Sequence, residues 1–162
     1  LVGSEMCIRD RSCDAKKISE KYEDFLGEGH YFIPGAKELL EDLSKKYHLY
    51  LASNGAVKVQ MSRIQSAGIE KYLEKIFLSE QIGYEKPSPQ FFEKCFAQIP
   101  DFKKEEALIL GDSLTSDIRG GKNAGILTVW FHPSGKKVEE EIVPDYEIGK
   151  LEELKTILSF YS

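Results

Sequence analysis

Apolar and polar positions along this chain of 162 residues follow two periods. Spacings of three and four residues predict helices, and short runs of consecutive apolar residues predict buried strands. The predicted helices are Asp14 to Leu26, Pro34 to Tyr47, Val57 to Gly68, Pro89 to Ile99, Thr115 to Ala124 and Leu151 to Tyr161. The predicted strands are His48 to Ala52, Ile76 to Leu78, Ala107 to Leu110, Ile126 to Phe131 and Tyr146 to Ile148. Strands that alternate with helices across short loops indicate an α/β fold, a doubly wound parallel sheet with helices on both faces.

Residues that favour helix ends stand at several of the predicted boundaries. Gly27 and Gly125 follow the last apolar position of their helices, where glycine commonly ends a helix. Ser88 and Pro89 suit the N-cap and the first helical position of the helix that they begin. These boundaries support one continuous domain, without a repeat, a linker or a low-complexity stretch.

The charge balance restricts the classes of partner. The chain carries 27 acidic and 22 basic residues, a net charge of -5, and its basic residues are scattered. This argues against a nucleic-acid partner, because nucleic-acid binding needs a concentrated basic face. No apolar run approaches membrane-spanning length, so we expect a soluble protein with no membrane partner.

The cysteines and histidines show no pattern typical of a disulfide framework or a zinc site; they are Cys7, Cys13, Cys95, His30, His48 and His132. We expect free thiols in a reducing cytoplasm and histidines with structural or surface roles.

Residues 1–12 differ from the rest of the chain. They show neither period and lack the basic start and apolar core of a signal peptide. The string from Ser4 to Ser12 resembles a translated sequencing adapter, so we expect a non-native leader there. The alternative is a genuine irregular N-terminus.

Three polar clusters follow predicted strands, where ligands collect in an open parallel sheet. The first is Ser53-Asn54-Gly55, whose hydroxyl, carboxamide and glycine amide can donate hydrogen bonds to phosphate oxygens. The alternative is an ordinary turn, since these residue types are frequent in turns. The second is Lys86-Pro87, where a stiffened loop would present a fixed positive charge to a phosphoryl group. By itself this pair is a weak signal, because most lysines are solvated.

The third cluster is the run Gly111 to Asp117, in which Asp112 ends an apolar strand and Asp117 lies five residues later. Two carboxylates that converge in a tight loop repel each other unless a cation lies between them. Hard oxygen ligands with room for water suit Mg²⁺, so Asp112 and Asp117 are the predicted metal ligands. The alternative is helix capping by the residues of this loop, with Asp117 favoured near the positive helix terminus.

The order of the three clusters resembles the second, third and fourth motifs of the haloacid dehalogenase (HAD)-like hydrolase superfamily. The resemblance covers roughly Asp14 to the C-terminus and implies a Rossmann-like core. Three further runs resemble the bacterial pyrimidine 5'-nucleotidases, which act on nucleoside monophosphates: Glu28 to Ala36, Gly111 to Gly121, and Pro144-Asp145-Tyr146. The magnesium motif disfavours the haloacid dehalogenases themselves, which need no metal.

The resemblance also implies roles for the motif residues. Ser53 would bind the transferring phosphoryl group with Asn54 and the Gly55 amide, and Lys86 would hold the charges of nucleophile and phosphate together. Asp112 would ligate Mg²⁺, and Asp117 would complete the metal shell or orient Lys86. The implied reaction forms an aspartyl-phosphate that water hydrolyses.

The nucleophile motif of the family, Asp-x-Asp, does not occur in this sequence. By resemblance that motif ends a first, central strand, and the helix from Asp14 to Leu26 would be the last helix of a helical cap. We therefore expect residues 13–30 to be a cap remnant and residues 31–162 to be a core lacking its central strand. Such a fragment would leave unpaired strand edges, and we expect it to be marginally stable and inactive.

Three functions remain open on the sequence. The first is a magnesium-dependent phosphohydrolase of nucleoside monophosphates, cytoplasmic, and a monomer or weak homodimer. The second is a phosphatase of a sugar phosphate or another small metabolite. The third is a non-catalytic module that binds phosphate and metal. A receiver-type signalling domain is disfavoured, because its acidic pair would lie near the end of the first strand.

Overall fold

A computed structural model describes residues 33–135 and 141–161. The strands in this part are β1 Tyr50–Ser53, β2 Lys75–Leu78, β3 Leu108–Gly111, β4 Leu127–Phe131 and β5 Tyr146–Ile148. The α-helices are α1 Ala36–Leu43, α2 Val57–Ala67, α3 Ser79–Ile82, α4 Pro89–Phe96, α5 Arg119–Ala124 and α6 Glu153–Ser159. Short 3₁₀ turns lie at Glu70–Tyr72 and Lys104–Glu106, and a π-helical turn lies at Leu114–Ile118. No helix of the described part is long and apolar enough to cross a membrane.

All strand pairs are parallel, which confirms the α/β class. β1 pairs with β2 in one sheet, and β3, β4 and β5 follow in that order in a second sheet. The registers align Tyr50 with Lys75, Leu108 with Leu127, and Val129 with Tyr146. Within the described residues, β1 and β3 are not hydrogen-bonded to each other.

Alternate side chains of β3 belong to two different cores, as expected for a sheet covered on both faces. Leu108 and Leu110 pack against a cluster that includes residues of α1 and α6. Ile109 packs against the opposite cluster, which includes residues of α4 and α5. The helices therefore cover both faces, and the doubly wound arrangement is confirmed.

Strands β1 and β3 each have an edge that no other strand of the described part pairs with. Every residue of these two strands is only partly buried, whereas Thr128 and Val129 of β4 are fully buried. The Leu49 carbonyl accepts a hydrogen bond from Glu74, so by alternation the main chain of Ala52 points away from β2. The Ala107 carbonyl accepts from Leu127, so the main chain of Leu110 likewise points away from β4. Within the described part, each sheet therefore ends at an edge without a strand partner.

The element boundaries differ from the prediction at several places, of which three have a local cause or a marked shift. The Ser88 side chain does not cap α4, because its hydroxyl is hydrogen-bonded to Gln90 at 2.6 Å. The helix expected from Thr115 begins instead with the π-helical turn, and α5 starts only at Arg119. The helix expected from Pro34 ends at Leu43, four residues early. Gly125 does end its helix with a left-handed φ of 74°. The helix predicted from Asp14 to Leu26 lies outside the described residues.

Asp145 fixes the start of β5 to β4 and α5. Its carboxylate accepts hydrogen bonds from the main-chain nitrogen of Thr128 at 2.8 Å and from the Thr128 hydroxyl at 2.7 Å. The Lys122 ammonium pairs with the other carboxylate oxygen at 2.5 Å. Burial acts to raise the pKa of Asp145, but the hydrogen bonds from Lys122 and Thr128 outweigh it and hold the pKa below its usual value. The Pro144-Asp145-Tyr146 motif therefore has a structural role.

We predict that Asp145→Asn lowers the free energy of unfolding at pH 7 by about 1 kcal/mol, because it removes one charged partner from a partly exposed network. Since the folded pKa is depressed, this stability is present above the unfolded pKa of about 4 and disappears as the pH falls through the folded pKa. Urea unfolding at pH 7 and below pH 4 should therefore show the wild-type advantage shrinking on acidification. Asp101→Asn, at an exposed acid without a side-chain hydrogen bond in the described part, is the control. An advantage that does not change with pH would contradict the assignment.

Candidate active site

Lys86 lies where the two sheets meet. Its ammonium group donates to the Ala52 carbonyl at the end of β1, at 2.7 Å, and to Asp117 Oδ1, at 2.6 Å. The Lys86 side chain is 8% exposed and that of Asp117 is 10% exposed. An ammonium group has three N–H donors, and the described residues engage two of them. The third donor and the positive charge can serve a ligand.

Asn54 holds the main chain of Lys86 in place. The Asn54 carboxamide donates to the Lys86 carbonyl at 2.8 Å, and its oxygen accepts from the Lys86 nitrogen at 2.8 Å. The peptide bond between Lys86 and Pro87 is cis. The resemblance indicates Asn54 as a phosphate contact, and in the described part its side chain pairs with a backbone 32 residues away. No local signal in the sequence could have indicated this pairing.

Ser53 and Gly55 form a tight turn at the end of β1. The Gly55 main-chain N–H donates to Ser53 Oγ at 3.1 Å, which leaves the hydroxyl proton available to a ligand oxygen. The Gln60 side chain covers Gly55 so closely that a Cβ there would lie 2.2 Å from Gln60 Nε2. The bond between Gly55 and Ser53 fixes the turn and places the Ser53 hydroxyl on the same strand end as the Ala52 carbonyl that holds Lys86.

Asp117 is held on a turn built by Ser113. The Asp117 and Ile118 nitrogens both donate to the Ser113 carbonyl, at 2.9 and 3.1 Å, which makes the turn π-helical. Ser113 Oγ accepts from the Ser116 nitrogen at 3.2 Å, so the capping alternative is also correct for Ser113. Asp117 Oδ2 accepts from the Ser113 nitrogen at 3.2 Å. The wider turn directs the Asp117 carboxylate back toward Lys86.

Gly111 provides the space for that carboxylate. A Cβ at Gly111 would lie 2.3 Å from Asp117 Cβ and 2.4 Å from Asp117 Oδ2. Real Cβ atoms are not found so close to another heavy atom, so any other residue here would displace Asp117. The glycine of this motif is therefore required by packing.

Asp112 is the first residue after β3 and is exposed. In the described part its carboxylate has no hydrogen-bond or ion-pair partner, while its main-chain carbonyl accepts from the Trp130 indole at 3.0 Å. The described part of the chain contains no group of three or more acidic, histidine or cysteine side chains that could hold a metal ion by itself. This donor set fits Mg²⁺, which commonly takes one or two protein carboxylates and completes its shell with water and phosphate oxygens. Asp112 offers a free carboxylate, and Asp117 has remaining lone pairs.

Two neighbouring features complete the surroundings. Burial raises the pKa of the Cys95 thiol to about 12, although the Lys86 ammonium acts to lower it, so Cys95 is an unreactive core thiol. An open cavity of about 380 Å³ adjoins Asn54 and Gly55, with Tyr84 and Glu85 on its wall. The turn after β1 therefore lies beside an open cavity.

We predict that Gly111→Ala lowers the free energy of unfolding by about 2 kcal/mol, because the new methyl group must displace the buried Asp117 side chain. The matched control is Gly149→Ala, where the nearest heavy atom to the new Cβ is Glu153 Oε1 at an ordinary 3.9 Å. Thermal unfolding followed by circular dichroism would measure both. Equal melting temperatures for the two variants would contradict the close approach.

The sequence profile of the haloacid dehalogenase-like hydrolase family matches residues 4–131. The HAD-hydrolase YfnB of Bacillus subtilis (strain 168) is 43% identical over 90% of this chain and 62% of its own length. Pyrimidine 5'-nucleotidase PynA of Streptococcus pneumoniae is 37% identical over 87% of this chain and 60% of its own length. Glyceraldehyde 3-phosphate phosphatase of Pyrococcus furiosus is 34% identical over 78% of this chain and 54% of its own.

A crystal structure of YfnB bound to magnesium superposes with a TM-score of 0.86, covering 90% of this chain and 64% of that one. The present chain thus spans about three-fifths of the length of its curated relatives YfnB and PynA. The profile match covers most of the chain, and the fold and motif order agree with it. The chain therefore belongs to the haloacid dehalogenase-like hydrolase family.

Proposed function

We propose that this site binds the phosphoryl group of a phosphate monoester together with Mg²⁺, and that the whole protein is a magnesium-dependent pyrimidine nucleoside monophosphate 5'-nucleotidase. The observation that carries the proposal is the buried Lys86 ammonium group, which is held by Ala52 and Asp117 with one donor left. A nearly buried cation is suited to a phosphate dianion that arrives with a metal ion, and in the described part the Ser53 hydroxyl proton and the Asp112 carboxylate are uncommitted.

Each residue of the site has a separate part in this proposal. The Ser53 hydroxyl donates to a phosphoryl oxygen, and the Lys86 ammonium stabilises the negative charge of the transferring group. Asn54 acts as a positioning residue, since both ends of its carboxamide hold the Lys86 main chain. Gly55 keeps the turn tight while its N–H orients the Ser53 hydroxyl.

Asp112 and Asp117 would hold the magnesium ion. Bound Mg²⁺ would neutralise charge on the phosphoryl oxygens, as metal ions do in phosphoryl transfer. Asp112 is suited to direct ligation, because its carboxylate is exposed and has no partner in the described part of the chain. Asp117 is suited to a shared role, since one of its oxygens already accepts from Lys86. The proposed reaction proceeds through an aspartyl-phosphate, whose nucleophile the Asp-x-Asp motif would supply.

The substrate class rests on two relatives. PynA supports a pyrimidine nucleoside monophosphate, because its name states that activity and its identity is 37%. Glyceraldehyde 3-phosphate phosphatase of P. furiosus, at 34% identity, supports the second candidate, a phosphatase of small sugar phosphates. The open cavity of about 380 Å³ beside Asn54 and Gly55 does not distinguish the two classes.

We expect the chain of 162 residues to bind a nucleoside monophosphate in the presence of Mg²⁺ without hydrolysing it, because its sequence contains no Asp-x-Asp. Phosphorus NMR would follow binding of uridine monophosphate and of glyceraldehyde 3-phosphate, each with MgCl₂ or EDTA. Phosphate release would be measured in the same samples. Tighter binding of the sugar phosphate would favour the second candidate. Absence of any magnesium-dependent binding would contradict the proposed site, and magnesium-dependent hydrolysis above background would contradict the predicted inactivity.

We predict that Lys86→Met weakens binding of uridine monophosphate at least tenfold, since a charge-assisted hydrogen bond to phosphate is lost. The variant also leaves the Asp117 carboxylate buried without its cation, which should lower the free energy of unfolding by about 3 kcal/mol. Lys71→Met is the matched control, because the Lys71 ammonium lies over the Tyr72 ring, is exposed and does not line the cavity. Binding would be measured at a temperature where circular dichroism shows all variants folded.

Lys86→Arg is the second variant, for the case that Lys86→Met does not fold. It keeps the positive charge but places it differently, because a planar guanidinium cannot reproduce the two contacts of an ammonium group. We expect it to fold and to bind the nucleotide more weakly than wild type. Wild-type affinity in a folded Lys86 variant would contradict the role of Lys86.

A further inference from the structure

The Trp130 side chain, which lies outside the predicted motifs, contacts both the main chain of Asp112 and the turn that carries Asp117. The Trp130 indole N–H donates to the Asp112 carbonyl at 3.0 Å, and the residue is 8% exposed. The Trp130 ring also packs in a small core with Leu114 and Ile118, the first and last residues of the π-helical turn. Asp117 belongs to the same turn, so Trp130 anchors the segments that carry both acids.

The His132 side chain fixes the orientation of the Trp130 ring. The His132 ring stacks on it with centroids 4.0 Å apart and an interplanar angle of 16°. Both nitrogens of His132 have partners, Glu147 Oε1 at 2.9 Å and Ser134 Oγ at 2.6 Å. A buried tryptophan needs only an apolar environment and a partner for its N–H. Here it has a second ring fixed parallel to it, which restricts the direction in which its N–H points.

We propose that Trp130 is a positioning residue for magnesium: by holding the Asp112 carbonyl it directs the Asp112 carboxylate toward the cation. This inference rests on the proposed function. The Asp112 side chain makes no contact in the described part that would orient it, so its direction depends on its main chain. Groups behind a metal ligand that fix its orientation commonly change metal affinity tenfold or more. The Trp130 hydrogen bond is the group that can do so here.

The first test is Trp130→Phe, which keeps an aromatic ring in the core but removes the N–H donor. We expect the chain to bind Mg²⁺ about fivefold more weakly by isothermal titration calorimetry, as the loss of one hydrogen bond implies. Affinity for inorganic phosphate, measured without magnesium, should stay within twofold of wild type, because phenylalanine keeps the packing against the turn that carries Asp117, and neither Ser53 nor Lys86 is bonded to the Asp112 carbonyl. A purely structural role would weaken both ligands together.

The matched control is Tyr146→Phe. It also removes one polar hydrogen from an aromatic side chain of the same sheet, a hydroxyl that lies 3.1 Å from the Tyr161 hydroxyl. We expect it to leave the Mg²⁺ affinity unchanged.

The second test does not depend on the folding of a Trp130 variant. Trp130 is the single tryptophan of the chain, so a ¹⁵N-labelled sample has one indole N–H resonance. We expect this resonance to shift saturably with added Mg²⁺. In Asp112→Asn the main-chain carbonyl remains, so the resonance should start at its wild-type position and then fail to move.

The outcomes separate this inference from the proposed function. Unchanged Mg²⁺ affinity in Trp130→Phe, or an indole resonance that does not respond while the wild-type chain binds Mg²⁺, would overturn the role of Trp130 alone. If the wild-type chain does not bind Mg²⁺, the proposed metal site is wrong and this inference fails with it.

Discussion

The Lys86 ammonium group joins the two sheets of the described fold. Its bond to the Ala52 carbonyl reaches one sheet, and its bond to Asp117 reaches the turn that follows the other. In the described part no strand pairing connects β1 to β3, so this buried ion pair is a contact between the two sheets that does not use main-chain pairing. A buried ion pair is costly to desolvate and contributes little net stability by itself. Its position agrees with the proposed phosphate site, because it keeps a cation at the junction of the two strand ends.

Other residues of the site serve this contact by controlling backbone position. Asn54 fixes the Lys86 main chain, Gly111 leaves room for Asp117, and the Ser113 carbonyl widens the turn that carries Asp117. These are steric and hydrogen-bonding constraints in a nearly buried setting, where a displacement of about 1 Å would break bonds of 2.6 Å and 2.7 Å. The Asp112 carboxylate is different, because it is exposed and depends on Trp130 only through its main chain.

The parts of the fold that follow from local pattern were predictable. All five strands were identified, because four of them are short, mostly apolar runs, and Gly125 ends its helix as expected. Two of the wrong predictions have local causes. The Ser88 hydroxyl donates to the Gln90 side chain and does not cap α4. The Ser113 carbonyl accepts hydrogen bonds from two main-chain nitrogens, so the expected helix begins with a π-helical turn. In the site, the contact of Lys86 with Asp117 agrees with the motif order. The side-chain partners of Asn54 could not be predicted, since they lie 32 residues away.

The sequence by itself determined the family, the parallel α/β class and the residue types that can bind phosphate and magnesium. The class follows from periodicity, which is a property of short segments. The family follows from the resemblance of the motifs, in their order, to those of known proteins. Only the tertiary structure decided which contacts each of those residues makes. In the folded chain the Asn54 carboxamide is hydrogen-bonded to the main chain of Lys86, and the Trp130 indole donates to the Asp112 carbonyl. The Asp112 carboxylate has no partner in the described part. The physical reason is that hydrogen-bond partners across the fold are chosen by packing, and packing relates residues that the sequence keeps far apart.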